Sequence, residues 1–121
     1  MSANKQTVET YIDGFNRSDH AQILSCLTDD IQWTVFGAYR LSGKEAYDNA
    51  IENPAFVGSP TVTIVRMVEE GDVVMAEMTV EVQRTNGETM RAAMVEVFVM
   101  ENTKIKERRA SVVELMQNDY M

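Results

Sequence analysis

From Thr61 to Met116 the chain alternates with a period of two, interrupted only at Glu70-Gly-Asp72, Thr85-Asn-Gly87 and Glu101-Asn-Thr103. Thr61 to Glu69, Asp72 to Arg84, Glu88 to Met100 and Lys104 to Met116 therefore read as four strands. Connections this short join antiparallel neighbours, so the second half of the chain is predicted to be a meander. Before Thr61 the period is helical. Val8, Tyr11, Ile12 and Phe15, spaced three and four apart, predict an amphipathic helix from about Asn4 to Arg17, weakened near its end by Gly14. Ser18-Asp19 offers N-cap chemistry to a short second helix through Leu27, with Ile23, Leu24 and Leu27 inward and Asp29-Asp30 as its breaker. Ile31 to Phe36 alternates as a strand and ends at Gly37. Ser42, with Glu45 at capping-box spacing, opens a third helix whose inner face is Ala46, Tyr47, Ala50 and Ile51; Asn53-Pro54 stops it. Helices collected at one end of an antiparallel sheet define an α+β fold, here expected as a single domain over residues 1–121.

The bulk properties narrow the function. A chain of 121 residues that is 45% hydrophobic supports one core. A net charge of −8 argues against nucleic acid and anionic membrane as partners, because both select basic surface. No apolar run approaches the roughly 20 residues of a membrane helix, and Met1 to Gln6 lacks the apolar segment of a secretory leader. Cys26 is the single cysteine and His20 the single histidine, so neither an internal disulfide nor a zinc ligand set can be assembled. The expectation is a cytoplasmic protein without metal or organic cofactor.

One carboxylate breaks the apolar pattern. Glu96 lies in Met90-Arg-Ala-Ala-Met-Val-Glu-Val-Phe-Val-Met100, sharing a face with Met90, Ala92, Met94, Phe98 and Met100. A group in such surroundings must be paired or it neutralises. Its neighbours depend on the Asn86-Gly87 turn. A two-residue turn would set Glu96 against Glu77, a repulsive pair; a three-residue loop with Gly87 left-handed sets Glu96 against Ala76 and Arg91 against Glu81. The second register also segregates Val74, Met78, Val80, Met94 and Phe98 with Glu96, and it is the one favoured. The opposite face then mixes Glu77, Thr79, Glu81 and Arg91 with Val95, Val97 and Val99. A face that apolar points to a homodimer through the outer side of the sheet.

Four stretches, Tyr11-Ile-Asp-Gly-Phe-Asn-Arg-Ser-Asp19, Leu27-Thr-Asp-Asp-Ile-Gln-Trp33, Leu41-Ser-Gly-Lys-Glu-Ala46 and Met94-Val-Glu-Val-Phe98, together with the element order, resemble the nuclear transport factor 2-like superfamily, in its ketosteroid-isomerase and SnoaL-like polyketide-cyclase branch. The resemblance implies a cone in which a curved sheet wraps three helices around an apolar cavity. It matches Tyr11 to the first-helix tyrosine of the isomerase oxyanion hole and Glu96 to its late-strand acid, one methylene longer. In ketosteroid isomerases that acid is kept protonated by its apolar site, so that it can donate a hydrogen bond. The isomerase base does not carry over, because Thr34 or Val35 stands where its aspartate would be.

Glu96 and Tyr11 are thus the candidate catalytic pair, and Phe15, Trp33, Phe56, Met78, Met94, Phe98 and Arg109 the candidate ligand-binding residues. The same aromatic residues and methionines also fit ordinary core. Arg108 and Arg109 point to opposite faces, and the Glu-Asn-Thr turn leaves open which one enters. An arginine beside Glu96 would keep it ionised as part of an anion clamp, whereas purely apolar surroundings would keep it protonated as a general acid. His20 reads as a surface residue at a helix start, and Cys26 as a small buried hydrophobe. The functional expectation is a pocket for an apolar small molecule, with acid–base isomerase, cyclase or hydrolase chemistry on a carbonyl compound. The alternative is a non-catalytic binding or interaction module of the same fold.

Overall fold

A computed structural model describes residues 2–116; residue 1 and residues 117–121, which complete the expected domain, lie outside the described residues. The elements run α1 (Ala3–Asn16), α2 (His20–Ser25), β1 (Leu27–Val35), β2 (Tyr39–Ser42), α3 (Lys44–Ala50), β3 (Phe56–Glu70), β4 (Val73–Arg84), β5 (Thr89–Glu101) and β6 (Lys104–Glu114). The six strands form one curved, unclosed sheet in the order β2-β1-β6-β5-β4-β3. β3 to β6 make the expected antiparallel meander, and β1 joins it parallel to β6. This is an α+β fold, with its helices all preceding the meander.

The helices bury the stripes that the spacing marks. In α1, Val8, Tyr11 and Ile12 are buried, and Ser2 caps the first turn by accepting from the Lys5 amide at 3.1 Å. Asp19 caps α2 through the Gln22 amide at 3.0 Å. Asn16 then ties the end of α1 to the sheet, donating to the Val62 carbonyl at 3.0 Å and accepting from its amide at 2.6 Å.

Four local expectations are corrected. The second helix ends at Ser25, and Leu27, Asp29 and Asp30 belong to β1, where both aspartates face solvent and Leu27 is buried. Tyr39–Ser42 is a strand, pairing with β1 from Gln32↔Ser42 to Val35↔Tyr39. Ser42 is consequently not the cap of α3. Gly43 at φ 90° takes that position and has no side chain to cap with, while its amide continues the β1 ladder by donating to the Ile31 carbonyl at 2.8 Å. Ala46 is exposed, leaving Tyr47 as the buried residue of α3.

The β4–β5 connection is the three-residue loop. Gly87, at φ 89°, donates to the Arg84 carbonyl at 3.0 Å, and the Arg84 amide donates to the Glu88 carbonyl at 2.7 Å. Glu96 therefore lies opposite Ala76 and Arg91 opposite Glu81, with Nε to Oε1 at 3.2 Å. The β5–β6 connection carries a feature that the sequence does not announce. Met100 pairs with Ile105 but Val99 with Glu107, so Lys106 is a surplus residue and the strand bulges. In an unbroken ladder continuing from Glu101↔Lys104, Glu96 would face Arg109. The bulge moves the register by one residue and turns Arg108 inward instead.

Candidate functional site

The inner face of the sheet holds a chain of polar side chains in an otherwise apolar core. Glu96 on β5 is fully buried, and Arg108 on β6 is 8% exposed. They meet as a bidentate pair, with Nε to Oε1 and Nη2 to Oε2 both at 2.9 Å. Two parallel bonds of this kind are charge-assisted and fix orientation as well as adding strength. Arg108 Nη1 donates to the Tyr47 hydroxyl at 3.1 Å, and that hydroxyl shares a hydrogen bond with the Tyr11 hydroxyl. The parallel β1–β6 register sets Trp33 beside Arg108, and the guanidinium carbon lies 4.3 Å from the centre of the indole. Phe15 and Tyr11 add ring contacts at 5.2 and 5.5 Å.

Electrostatics follow from this enclosure. Burial pushes the Tyr11 hydroxyl well above the usual tyrosine range against the opposing pull of Arg108, and Tyr47 is raised for the same reason. Both therefore serve as neutral hydroxyls. Burial works against the charge of Arg108, but the Glu96 carboxylate outweighs it and holds the guanidinium protonated. Guanidinium has five N–H donors. Three are engaged by Glu96 and Tyr47.

In front of Arg108 lies a cavity of about 560 Å³. Its wall is mostly apolar, with Ile12, Phe15, Trp33, Phe56, Val80 and Met94 among the lining residues, and Arg108 and Tyr39 supply polar groups. The Trp33 indole N–H is buried and makes no hydrogen bond among the described residues. Burial also raises the Tyr39 hydroxyl, with Arg108 opposing. Ser18, Glu52, Asn53 and Ser59 complete the lining; the Ser18 and Ser59 hydroxyls are 2.6 Å apart and join the α1–α2 junction to β3.

The expected residues fall into separate places. Phe15, Trp33, Phe56 and Met94 line the cavity. Met78 and Phe98 are buried core and do not reach it. Glu96 and Tyr11 lie in the core behind Arg108 rather than on the cavity wall, and are joined to each other through Arg108 and Tyr47. Arg109 points the other way, its guanidinium 5.1 Å from the Phe36 ring, because of the β6 bulge; Arg108 is the arginine of the site. Tyr39 and Tyr47 are site residues that sequence reasoning does not single out. Tyr47 is visible there only as one member of an inner helix stripe, and Tyr39 belongs to a strand that the pattern does not reveal. Among the described residues no group of three or more His, Cys, Asp and Glu side chains is arranged to hold a metal ion. No helix among them is long and apolar enough to cross a membrane.

The chain belongs to the SnoaL-like domain family, whose profile matches residues 8–108. Solved structures share its fold. An epoxide hydrolase of Mycobacterium tuberculosis described as LEH-like superposes with a TM-score of 0.82 at 18% identity, covering 92% of this chain and 83% of the other. A nuclear transport factor 2-like protein of unknown function from Burkholderia pseudomallei K96243 gives 0.80 at 22%, covering 91% and 90%. A candidate ketosteroid isomerase from Kribbella flavida DSM 17836 gives 0.74 at 14%, covering 98% and 84%. No curated protein matches the chain.

Proposed function

We propose that the cavity binds an apolar small molecule through an oxygen atom that accepts from Arg108. The observation that carries this reading is the lock on Arg108: Glu96 and Tyr47 fix the guanidinium, Trp33 covers it, and two of its donors remain beside an apolar cavity. Donors held in place before a ligand arrives cost no reorganisation when charge develops on the ligand oxygen. Because Glu96 already neutralises Arg108, the pair favours a neutral acceptor such as a carbonyl over a free carboxylate. Acid–base isomerase, cyclase or hydrolase chemistry on such a compound is the reaction class in reach, and fold neighbours named as hydrolase and isomerase are consistent with it by analogy alone.

A non-catalytic binding role is favoured by one feature. Both Glu96 oxygens are taken by Arg108, and the side chain is fully buried, so Glu96 cannot itself exchange a proton with a ligand. Trp33, the single tryptophan, lines the cavity and reports on occupancy by fluorescence. A bicyclic ketone such as 2-decalone is expected to bind about 10- to 100-fold tighter than decalin, the range of one hydrogen bond to a charged donor. Equal affinities would remove Arg108 from the binding reading.

A further inference from the structure

The Arg108 end of the cavity can donate hydrogen bonds but cannot take up a proton. Glu96 is consumed, and the Tyr11 and Tyr47 hydroxyls are held in the core. Among the described residues lining the cavity, the titratable side chains are Tyr39, Glu52 and Arg108. Tyr39 is pushed up by burial, which keeps its hydroxyl neutral, and Arg108 is permanently charged. Glu52 is the remaining carboxylate on this wall, just beyond the end of α3.

Glu52 is also oriented. His20 Nε2 lies 3.1 Å from Glu52 Oε1, while His20 Nδ1 lies 2.6 Å from Asp48 Oδ1 on α3. The imidazole thus bridges the start of α2 to two carboxylates, one of which borders the cavity. Glu52 Oε2 makes no hydrogen bond among the described residues. The residue before His20, Asp19, is paired with Arg17 at the end of α1, Nη2 to Oδ2 at 3.6 Å. A carboxylate held at one oxygen by an imidazole, which a second carboxylate holds in turn, has the fixed orientation that suits a general base.

We propose that Glu52 is the proton acceptor of this cavity, positioned by His20, which Asp48 holds in turn. This rests on the reading of the cavity as a site for a carbonyl compound. Glu52 removes a proton from the carbon next to the carbonyl. The C–H pair becomes the new C=C π bond, the former C=O pair moves to oxygen, and the enolate oxygen accepts from Arg108. The protonated Glu52 then returns the proton to carbon, so the step closes without a co-reactant.

The test uses 2-tetralone in D2O with the full chain, measuring occupancy by Trp33 quenching and α-hydrogen loss by proton NMR. Wild type is expected to accelerate exchange with saturation, and Glu52→Gln to lower the saturated rate about 100-fold or more at unchanged quenching, the usual span of general-base removal. The Glu52 side chain is 69% exposed, so the glutamine variant should fold, with its thermal melt as the control. His20→Asn should lower the rate less and remove from the pH–rate profile an inflection that the imidazole places above its ordinary range. Quenching without accelerated exchange, or exchange undiminished in Glu52→Gln, overturns the assignment and leaves the binding reading standing. Absence of quenching by both 2-tetralone and 2-decalone overturns the two together.

Discussion

Removing one member of the Glu96–Arg108 pair leaves its partner buried without a counter-charge, whereas removing both leaves only a packing problem. Arg108→Met is therefore expected to cost roughly 3–5 kcal/mol of stability by urea unfolding. Glu96→Met combined with Arg108→Met should cost clearly less than the sum of the two single changes. Simple additivity would show that the pair is not coupled. His20 gives the pH-dependent counterpart. Its hydrogen bond to Asp48, then that to Glu52, raises its pKa above the ordinary value. A raised folded-state pKa contributes stability that is fully present below about pH 6.5, the unfolded value, and is lost as pH rises through the folded value. The stability gap between wild type and His20→Asn should thus be widest near pH 5.5 and close on the alkaline side. A gap that widens with pH would refute the pairing. Salt should narrow it, since the side chains of His20, Asp48 and Glu52 are 37%, 43% and 69% exposed. At this scale the sequence marks Glu96 as needing a partner, but not the partner's identity. Tyr47 and Glu52 gain their roles from neighbours distant in sequence, which no local pattern encodes.

At the scale of elements, the contact between α1 and α2 is set by a glycine. Alanine at position 14 would gain roughly 0.8–1.0 kcal/mol of helix propensity. Its Cβ, however, would stand 2.8 Å from Ile23 Cγ1 and 3.2 Å from the Ile23 backbone nitrogen, and Ile23 is fully buried. Overpacking of this kind costs about 1–3 kcal/mol, so Gly14→Ala is expected to lower the melting temperature despite the better helix former. A rise would show that α2 can shift away. Helix periodicity alone makes Gly14 a weakness of α1, because the close approach of a second helix leaves no trace in one-dimensional spacing. The same limit separates the two hairpins. Asn86-Gly87 declares its loop through charge pairing on both strands, which makes the register of β4 and β5 legible. The β5–β6 turn, with Asn102 and Thr103 at φ 51° and 61°, leads into a bulge at Lys106 that only tertiary packing selects. One surplus residue is enough to exchange Arg109 for Arg108. The short β2 strand escapes sequence reading for a related reason: its pattern is brief and its residues are mostly exposed.

The whole molecule buries one face of its sheet and leaves the other substantially apolar. On the outer face Val68 pairs with Met75 and Met75 with Val97, Val73 pairs with Val99, and Val95 and Val113 lie beside them. Val68, Met75, Val95 and Val113 are 58%, 42%, 46% and 62% exposed. Beside this surface Arg66 pairs with Glu77 at 2.9 Å and Arg91 with Glu81 at 3.2 Å, so these four charges cancel locally. A self-complementary sheet face suits a two-fold dimer, for which about 800 Å² per partner is an ordinary interface. Wild type is expected to elute as a dimer at micromolar concentration, with a melting temperature that rises with protein concentration. Val68→Lys with Val95→Lys should give a monomer. Because these residues face away from Met94, Glu96 and Arg108, Trp33 quenching by 2-decalone should survive the change. A wild-type monomer at micromolar concentration would refute the dimer. A monomeric variant that has also lost quenching would show that the cavity depends on the assembly, so that the sheet's two faces do not act independently.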